Sequence, residues 1–301
     1  MKEFRLRKII DILFMSVITA LLFLIGRVSV LSYALIPSIM IYYAFIRKKI
    51  EYLLFLFLIF ILIFSIDELN ITIKIIGISL LITMIFAILI RTKLNDNKAL
   101  IIASIILSII SIILYFKFFM NEINIEEQMS VNIENFTYEM TINNELVDFT
   151  KEDIIRILKM AIPSVLILLS FLFSLFTLKI SKNAISTKLN GYKDFRKLED
   201  IYLHKNTFIY FILILITIFL VLNEIDYHAD LFGINAILII YYALVLNGFS
   251  FYLYWSKHSK TNFIRMMFLI LILVYLTDIT IVFLLMGIFD LFYDYRKRSI
   301  E

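Results

Sequence analysis

The stretch ITIKIIGISLLITMIFAILI, Ile71–Ile90, decides the fold because it is as long as a bilayer is thick and carries one charged side chain, Lys74. An α-helix needs about 20 consecutive apolar residues to cross the hydrocarbon core of a membrane. In lipid, the backbone polar groups must be paired within the segment itself, which a helix achieves. This stretch therefore predicts a transmembrane α-helix.

Apolar runs recur along the whole chain, and 62% of its 301 residues are hydrophobic, well above the roughly 45–50% of soluble domains. The sequence predicts an all-α, polytopic transmembrane helix bundle of about eight to ten spans, with a small extracytoplasmic loop or hairpin. It forms a single integral membrane domain over residues 1–301. The other runs are Ile9–Gly26, Val28–Ile46, Tyr52–Ile66, Ala99–Phe119, Met160–Ile180, Thr207–Leu222, Ile234–Trp255 and a last run that begins near Phe263.

Positive charge is distributed unevenly between alternate connecting segments. If the N-terminus is cytoplasmic and successive runs cross, most of the 29 Lys and Arg residues lie on the cytoplasmic side, as the positive-inside rule requires. We therefore expect a multi-pass cell-membrane protein with a cytoplasmic N-terminus. Nine crossings would leave the C-terminal cations outside, so the cytoplasmic C-terminus that we expect requires eight or ten crossings. The net charge of +4 then reflects topology, so the expected partners include the lipid bilayer and exclude nucleic acid.

The number of spans stays open because the last apolar run is longer than one span needs. Phe263–Tyr293 is interrupted only by TDIT, residues 277–280. It forms either one long helix or two short arms that turn at Asp278. A third alternative is that the short run Tyr52–Ile66 enters the bilayer without crossing it.

Two longer segments between the apolar runs are predicted to contain secondary structure outside the membrane. Residues 120–159 form the predicted extracytoplasmic loop, where Phe136–Phe149 alternates in hydrophobicity around an Asn-Asn pair and predicts a β-hairpin. A capping-box pattern at Thr150 then predicts an amphipathic helix, kinked at Pro163. Residues 181–206 form the predicted basic cytoplasmic loop, with a short helix.

Three polar residues within or beside the spans are candidates to line a cavity, because polar groups inside a membrane are costly and often functional. Asp278 lies near mid-bilayer if the last run is one helix, and in a solvated turn if it is two arms. Asn247 precedes Gly248 in the middle of a run and serves either helix packing or ligand contact. Arg27 pairs with an outer carboxylate or contacts an anionic ligand.

Catalytic and metal-binding motifs are absent from the sequence. No HExxH, GxSxG, phosphate-binding loop or GxGxxG pattern occurs, and there is no cysteine. The alternating acids of residues 224–230 are better explained as an acidic loop than as a divalent-ion site. We expect no catalytic residue, no metal and no cofactor, and a protein that is not an enzyme.

The C-terminal stretch GIFDLFYDYRKR, residues 287–298, contains one carboxylate that has no ion-pair partner nearby in the sequence. Asp294 precedes Lys297 and Arg298 at spacings that favour helix ion pairs. The cations of residues 296–298 are expected to hold the helix end at the cytoplasmic surface. Asp290 has no such neighbour and is expected to need a partner from another helix or from a cytoplasmic loop.

This stretch resembles the C-terminal signature of the YybS-like family of uncharacterised bacterial membrane proteins. The inner loop departs from the family pattern, because Phe195–Lys197 stands where a Trp and a Pro are expected. The resemblance implies a polytopic protein distantly similar to the substrate-capture subunits of vitamin transporters and to cell-shape membrane proteins. The matching positions are Gly287, Phe289, Asp290, Asp294, Tyr295 and Arg296.

These observations lead to two functional hypotheses. The first is a transporter-like protein that binds a small solute or couples to a membrane or cytoplasmic protein partner, with a cavity lined by Asp278, Asn247 and Arg27. The alternative is a non-catalytic membrane scaffold whose basic inner face and outer hairpin recruit envelope or cytoplasmic partners.

Overall fold

A computed structural model describes residues 2–26, 30–66, 69–119, 151–224, 229–258, 279–293 and 296. The predicted β-hairpin and four of the singled-out residues, Arg27, Asp278, Asp294 and Tyr295, lie outside the described residues. Whether the last apolar run turns at Asp278 is therefore not addressed by the structure.

The described part of the chain is all-α, as the sequence predicts, and it contains no strand. A short π-helical segment, Tyr115–Phe119, follows the fifth helix, and a 3₁₀ turn, Leu198–Asp200, precedes the seventh. The nine α-helices of these residues are α1 (Lys2–Gly26), α2 (Val30–Ile46), α3 (Lys49–Phe64), α4 (Leu69–Arg91), α5 (Asp96–Leu114), α6 (Lys151–Ser186), α7 (Lys205–Glu224), α8 (Ala229–His258) and α9 (Ile279–Tyr293).

The length and composition of the helices confirm that the protein is a multi-pass membrane protein. Shorter apolar helices cover Leu35–Ile46 and Thr280–Tyr293, and the predicted span Ile71–Ile90 lies inside α4. Six helices of the described chain are long and apolar enough to cross a membrane, over Arg7–Ile25, Thr72–Arg91, Asp96–Lys117, Arg156–Ser186, Lys205–Glu224 and Ala229–Lys257.

The chain divides into two compact units. Unit 1 comprises Met1–Ile109 and Leu169–Arg196, and unit 2 comprises Ile110–Leu168 and Lys197–Glu301. In unit 1, α1, α2 and α3 pack around a core in which the rings of Tyr43 and Phe55 stack with centroids 4.3 Å apart.

Helices α8 and α9 of unit 2 approach each other closely at two glycines. A Cβ atom built on Gly248 would lie 1.7 Å from the carbonyl oxygen of Phe283, and one on Gly287 would lie 2.0 Å from that of Leu244. Because these distances are far below van der Waals contact, only glycine fits at either position. Close approach of two backbones through small residues is a common way of packing helices in membranes.

The segment between α6 and α7 corresponds to the predicted basic loop at 181–206, with shifted boundaries. Helix α6 continues to Ser186, and α7 begins at Lys205. The predicted short helix is only the 3₁₀ turn Leu198–Asp200. Gly191, with φ of 94°, supplies the left-handed backbone conformation of the turn after α6.

Candidate functional site

Four buried polar residues of unit 2 meet where α8, α9 and the segment before α7 converge: Asn247, Ser250, Asp290 and Arg296. Asn247, on α8, is 3% exposed. Its Oδ1 accepts the backbone N–H of Leu203 at 3.0 Å, and its Nδ2 donates to Gly287 O at 3.1 Å and to Asp290 Oδ2 at 3.3 Å. Because both amide hydrogens and the amide oxygen are already bonded, Asn247 joins three segments of unit 2.

An ion pair completes this polar centre. Arg296 Nη2 lies 3.0 Å from Asp290 Oδ2, and the two side chains are only 5% and 4% exposed. The guanidinium also donates to Glu199 O at 2.8 Å, to Ser250 Oγ at 3.0 Å and to Asn247 O at 3.2 Å. A planar guanidinium with several fixed donors suits such a set of acceptors, whereas an ammonium does not.

Aromatic rings surround the guanidinium. Its Cζ lies 5.3 Å from the ring centroid of Tyr202, 5.7 Å from that of Phe251 and 5.8 Å from that of Tyr254, within the range of cation–π attraction. Burial lowers the pKa of Arg296, and the charge of Asp290 acts against that shift. Arginine nevertheless stays protonated in proteins, so the pair is ionic.

One sequence-based expectation about this region is revised, and a second is met and extended. Arg296 was expected at the cytoplasmic surface, but it is buried, because its donors satisfy a carboxylate and several carbonyl groups inside unit 2. Asp290 was expected to need a partner from another helix or a loop. Its partners include Asn247 from α8, as expected, and also Arg296, six positions along the chain.

A second buried amide side chain bridges a gap in the backbone hydrogen bonds of helix α6. Pro163 lies inside α6, where its ring removes one donor and disturbs the preceding turn. Asn235, on α8, accepts the backbone N–H of Ser164 at 2.8 Å and donates to Met160 O at 2.7 Å. Since a regular helix pairs these two backbone groups with each other, the side chain is inserted into the hydrogen-bond ladder at the predicted kink.

Replacing Asn235 by leucine should destabilise the protein by about 1–3 kcal/mol, because two buried backbone groups lose a partner. The control is Asn235→Leu combined with Pro163→Ala, in which α6 can straighten and pair Ser164 with Met160 directly. The double variant should recover part of the loss in thermal stability in detergent. Equal stability of the single and double variants would contradict the bridging role.

The buried polar residues of unit 1 are of a different chemical kind. In the described part of unit 1 they are all Ser or Thr, whereas those of unit 2 include Asn, Asp and Arg. Helix α6 carries four of them at helical spacing, Ser170, Ser174, Thr177 and Ser181, each at most 4% exposed. We call these four residues the hydroxyl face of α6.

One hydroxyl group of the hydroxyl face, that of Ser181, has no hydrogen-bond partner among the described residues. Ser174 Oγ donates to Ser170 O at 2.7 Å, and Ser38 Oγ, on α2, lies 3.5 Å from Thr177 O. Ser181 is 0% exposed, and its Oγ has no hydrogen-bond partner. Most buried hydroxyl groups in native structures are hydrogen-bonded, so the hydroxyl of Ser181 is an exception.

An ion pair lies beside the hydroxyl face. Lys182 binds Asp96, at the start of α5, and Asp96 also accepts the backbone N–H of Arg196 at 3.0 Å. Asn183 accepts the N–H of Phe195 at 2.9 Å. These contacts fix the segment that follows α6 within unit 1. Among the described residues, no group of three or more His, Asp or Glu side chains is placed to hold a metal ion.

Comparison with known protein families gives one match. A family model described as predicted membrane protein (DUF2232) matches residues 13–291. The chain belongs to the DUF2232 family. No curated protein and no solved structure matches the chain. The DUF2232 match includes Asn235, Asn247, Asp290 and the hydroxyl face, and it ends five residues before Arg296.

The sequence suggested three residues as candidates to line a cavity in this DUF2232 chain. Of these, only Asn247 lies among the residues that the structure describes. Asn247 joins segments of unit 2 through hydrogen bonds. This is the helix-packing role, rather than the ligand contact that was the other possibility. Sequence reasoning missed the hydroxyl face and Asn235. The spacing of Ser170, Ser174, Thr177 and Ser181, at i, i+4, i+7 and i+11, was the available signal, because such positions share one side of a helix.

Proposed function

We propose that this chain is a transporter-like membrane protein that binds a small polar solute, or couples to a partner that does, at the hydroxyl face of α6. The observation that carries the proposal is Ser181, whose hydroxyl is fully buried and lacks a hydrogen-bond partner. A buried polar group without a partner costs about 1–3 kcal/mol. A bound solute that supplies a hydrogen bond would remove that cost.

The chemistry of the lining favours an uncharged solute. A hydroxyl group both donates and accepts hydrogen bonds, so a row of hydroxyls suits a molecule that does the same. The nearest charged residue along the helix, Lys182, is already neutralised by Asp96. The resemblance of the C-terminal stretch to the YybS-like family, and through it to substrate-capture subunits of vitamin transporters, supports the same class of function. The proposal assigns no catalytic chemistry to the chain.

The interrupted backbone hydrogen bonding of α6 is a second feature in favour of a transporter-like role. Transporters often use interrupted membrane helices whose freed backbone groups are paired again by neighbours. Pro163 interrupts α6, and Asn235 pairs the freed backbone groups of Met160 and Ser164. The interruption lies on the same helix as the hydroxyl face.

A non-catalytic scaffold is the second candidate, and one observation favours it. The segment between α6 and α7 is held by polar side chains, with Asn183 and Asp96 fixing its first part in unit 1. Asn247 and Ser250 fix its second part in unit 2, through Leu203 N–H and Leu198 O. A basic segment whose two parts are each anchored by hydrogen bonds is a suitable surface for a protein partner.

Thiol accessibility can separate the two candidates, because the chain has no cysteine of its own. Ser174→Cys, Thr177→Cys and Ser181→Cys would be made singly and treated in membranes with a hydrophilic methanethiosulfonate reagent. A thiol reacts as the thiolate, which forms readily in contact with water and poorly in apolar surroundings. A solute that reaches this buried face from water needs a hydrated path to it, so the solute proposal predicts that these three variants react about tenfold faster than the controls.

The matched controls are Leu169→Cys and Ile180→Cys, whose native side chains on the same helix are 38% and 37% exposed on the apolar exterior. Reaction at the hydroxyl face no faster than at these controls, in variants that elute normally in size-exclusion chromatography, would refute the solute proposal. The scaffold would then be the better explanation. A panel of small neutral polar compounds, tested for thermal stabilisation that Ser181→Ala abolishes, would identify the solute class.

A further inference from the structure

Four side chains of unit 1 form a continuous row in which a cation lies at each end of two aromatic rings. Arg91 Cζ lies 5.2 Å from the ring centroid of Phe45, and the rings of Phe45 and Tyr192 meet edge to face with centroids 5.7 Å apart. Lys93 Nζ lies 5.6 Å from the ring centroid of Tyr192. The two cations therefore flank an aromatic pair, and each is within cation–π distance of one ring.

These two cations contact aromatic rings and have no carboxylate partner among the described residues. Lys8, Arg47 and Lys182 of unit 1 each pair with an acidic side chain. In the described part of the chain, Arg91 and Lys93 make ring contacts and no ion pair, and both are exposed. Their charges are thus available to an anion from outside the protein.

The backbone holds the row in place. Lys93 has φ of 51°, a left-handed conformation that is uncommon for a residue with a side chain. Its Nζ lies 3.9 Å from where a Cβ atom on Gly191 would be, which places the lysine head beside the turn after α6. The turn after α4 and the turn after α6 therefore present Lys93 on the same side as Arg91.

The row is located at the end of membrane-spanning helices. Arg91 is the last residue of the apolar span Thr72–Arg91, and Phe45 is the penultimate residue of α2. Lipid phosphates lie just beyond the hydrocarbon core, at the depth where the apolar part of a span ends. Aromatic residues are also enriched at this depth.

We propose that Arg91 and Lys93, oriented by Phe45 and Tyr192, bind the phosphate of an anionic phospholipid. The guanidinium supplies paired donors to phosphate oxygens, and the ammonium supplies a compact second charge. Basic sites between membrane helices are known to bind anionic headgroups. The acyl chains of the lipid would lie along the apolar exterior of α4, where Leu81, Met84 and Ile88 are exposed. This inference is independent of the solute proposal.

The test is lipid binding by the purified full-length protein, with the double variant Arg91→Gln/Lys93→Gln. Detergent-solubilised protein is titrated with phosphatidylglycerol and, separately, with phosphatidylcholine, and bound lipid and melting temperature are both measured. We expect phosphatidylglycerol to bind and stabilise the native protein more than phosphatidylcholine does. The double variant should bind phosphatidylglycerol about tenfold more weakly, because each basic residue near an anionic lipid contributes to affinity.

The control is Lys98→Gln/Lys188→Gln, which removes the same charge from two other exposed lysines of unit 1 and should keep nearly all of the binding. Equal loss in both double variants would overturn the proposal, because only the overall charge would then matter. Inorganic phosphate that stabilises the native protein as well as the lipid does would also overturn it, in favour of a site for the free anion. Tyr192→Leu should weaken binding without any change in charge.

Discussion

Gly248→Ala is expected to prevent stable folding of unit 2, because the added methyl group would overlap the backbone of α9. The Cβ atom would lie 1.7 Å from Phe283 O, 2.7 Å from Phe283 C and 2.8 Å from Gly287 N. These are main-chain atoms, so no side-chain rotation can make room and the two helices must separate. We expect a loss of at least about 4 kcal/mol, the range reached when a substitution disrupts core packing.

The matched control for this prediction is Gly77→Ala in α4, where no heavy atom lies within 4 Å of the added carbon. Alanine is a better helix former than glycine, so this variant should be equal to the native protein or up to about 1 kcal/mol more stable. Both variants would be compared by thermal unfolding in detergent and by recovery in size-exclusion chromatography. Native-like melting of Gly248→Ala would contradict the close packing of α8 and α9.

Arg296→Met is expected to have the second largest effect, because it leaves the carboxylate of Asp290 buried without its counter-charge. Removing one partner of a buried ion pair costs about 3–5 kcal/mol. The carbonyl oxygens of Glu199 and Asn247 would also lose a donor. Arg296→Lys should recover little of this loss, since a single ammonium group cannot reach acceptors arranged around a planar guanidinium.

The double variant Asp290→Leu/Arg296→Met provides the control. Replacing both members of a buried ion pair by apolar residues is often close to neutral, so this variant should be more stable than Arg296→Met alone. A double-mutant cycle measured by chemical unfolding in detergent would give the coupling between the two side chains. If Arg296→Met is as stable as the native protein, the arginine is a surface anchor, as the sequence alone indicated.

The helices were predictable from the sequence because membrane spans depend on a local property, the length of an apolar run. Ile71–Ile90 is helical within α4, and the other runs described by the structure are helical as well. The division into two units was not predictable, because α6 is one continuous helix whose two halves belong to different units. No change in composition marks such a boundary.

The polar centre was predictable only in part. Asn247 attracted attention because polar groups in apolar runs are costly, and Asp290 because no neighbour in the sequence could pair with it. Both are buried. Arg296 is one of three consecutive cations, and nothing in the order Arg-Lys-Arg indicates that Arg296 is buried. That choice depends on acceptors far away in the sequence, such as Glu199 O, 97 positions before it.

The amide bridge at Pro163 also has a consequence for the order in which the protein is made. Asn235 follows Ser164 by 71 residues, so ribosomes working at about 5–20 residues per second need several seconds to add it after Ser164. During that interval α6 is already synthesised, while the groups at its kink still lack the side chain that will join them. The native form of α6 is therefore completed by a helix that enters the membrane later, and a nascent chain that stops before α8 cannot acquire it.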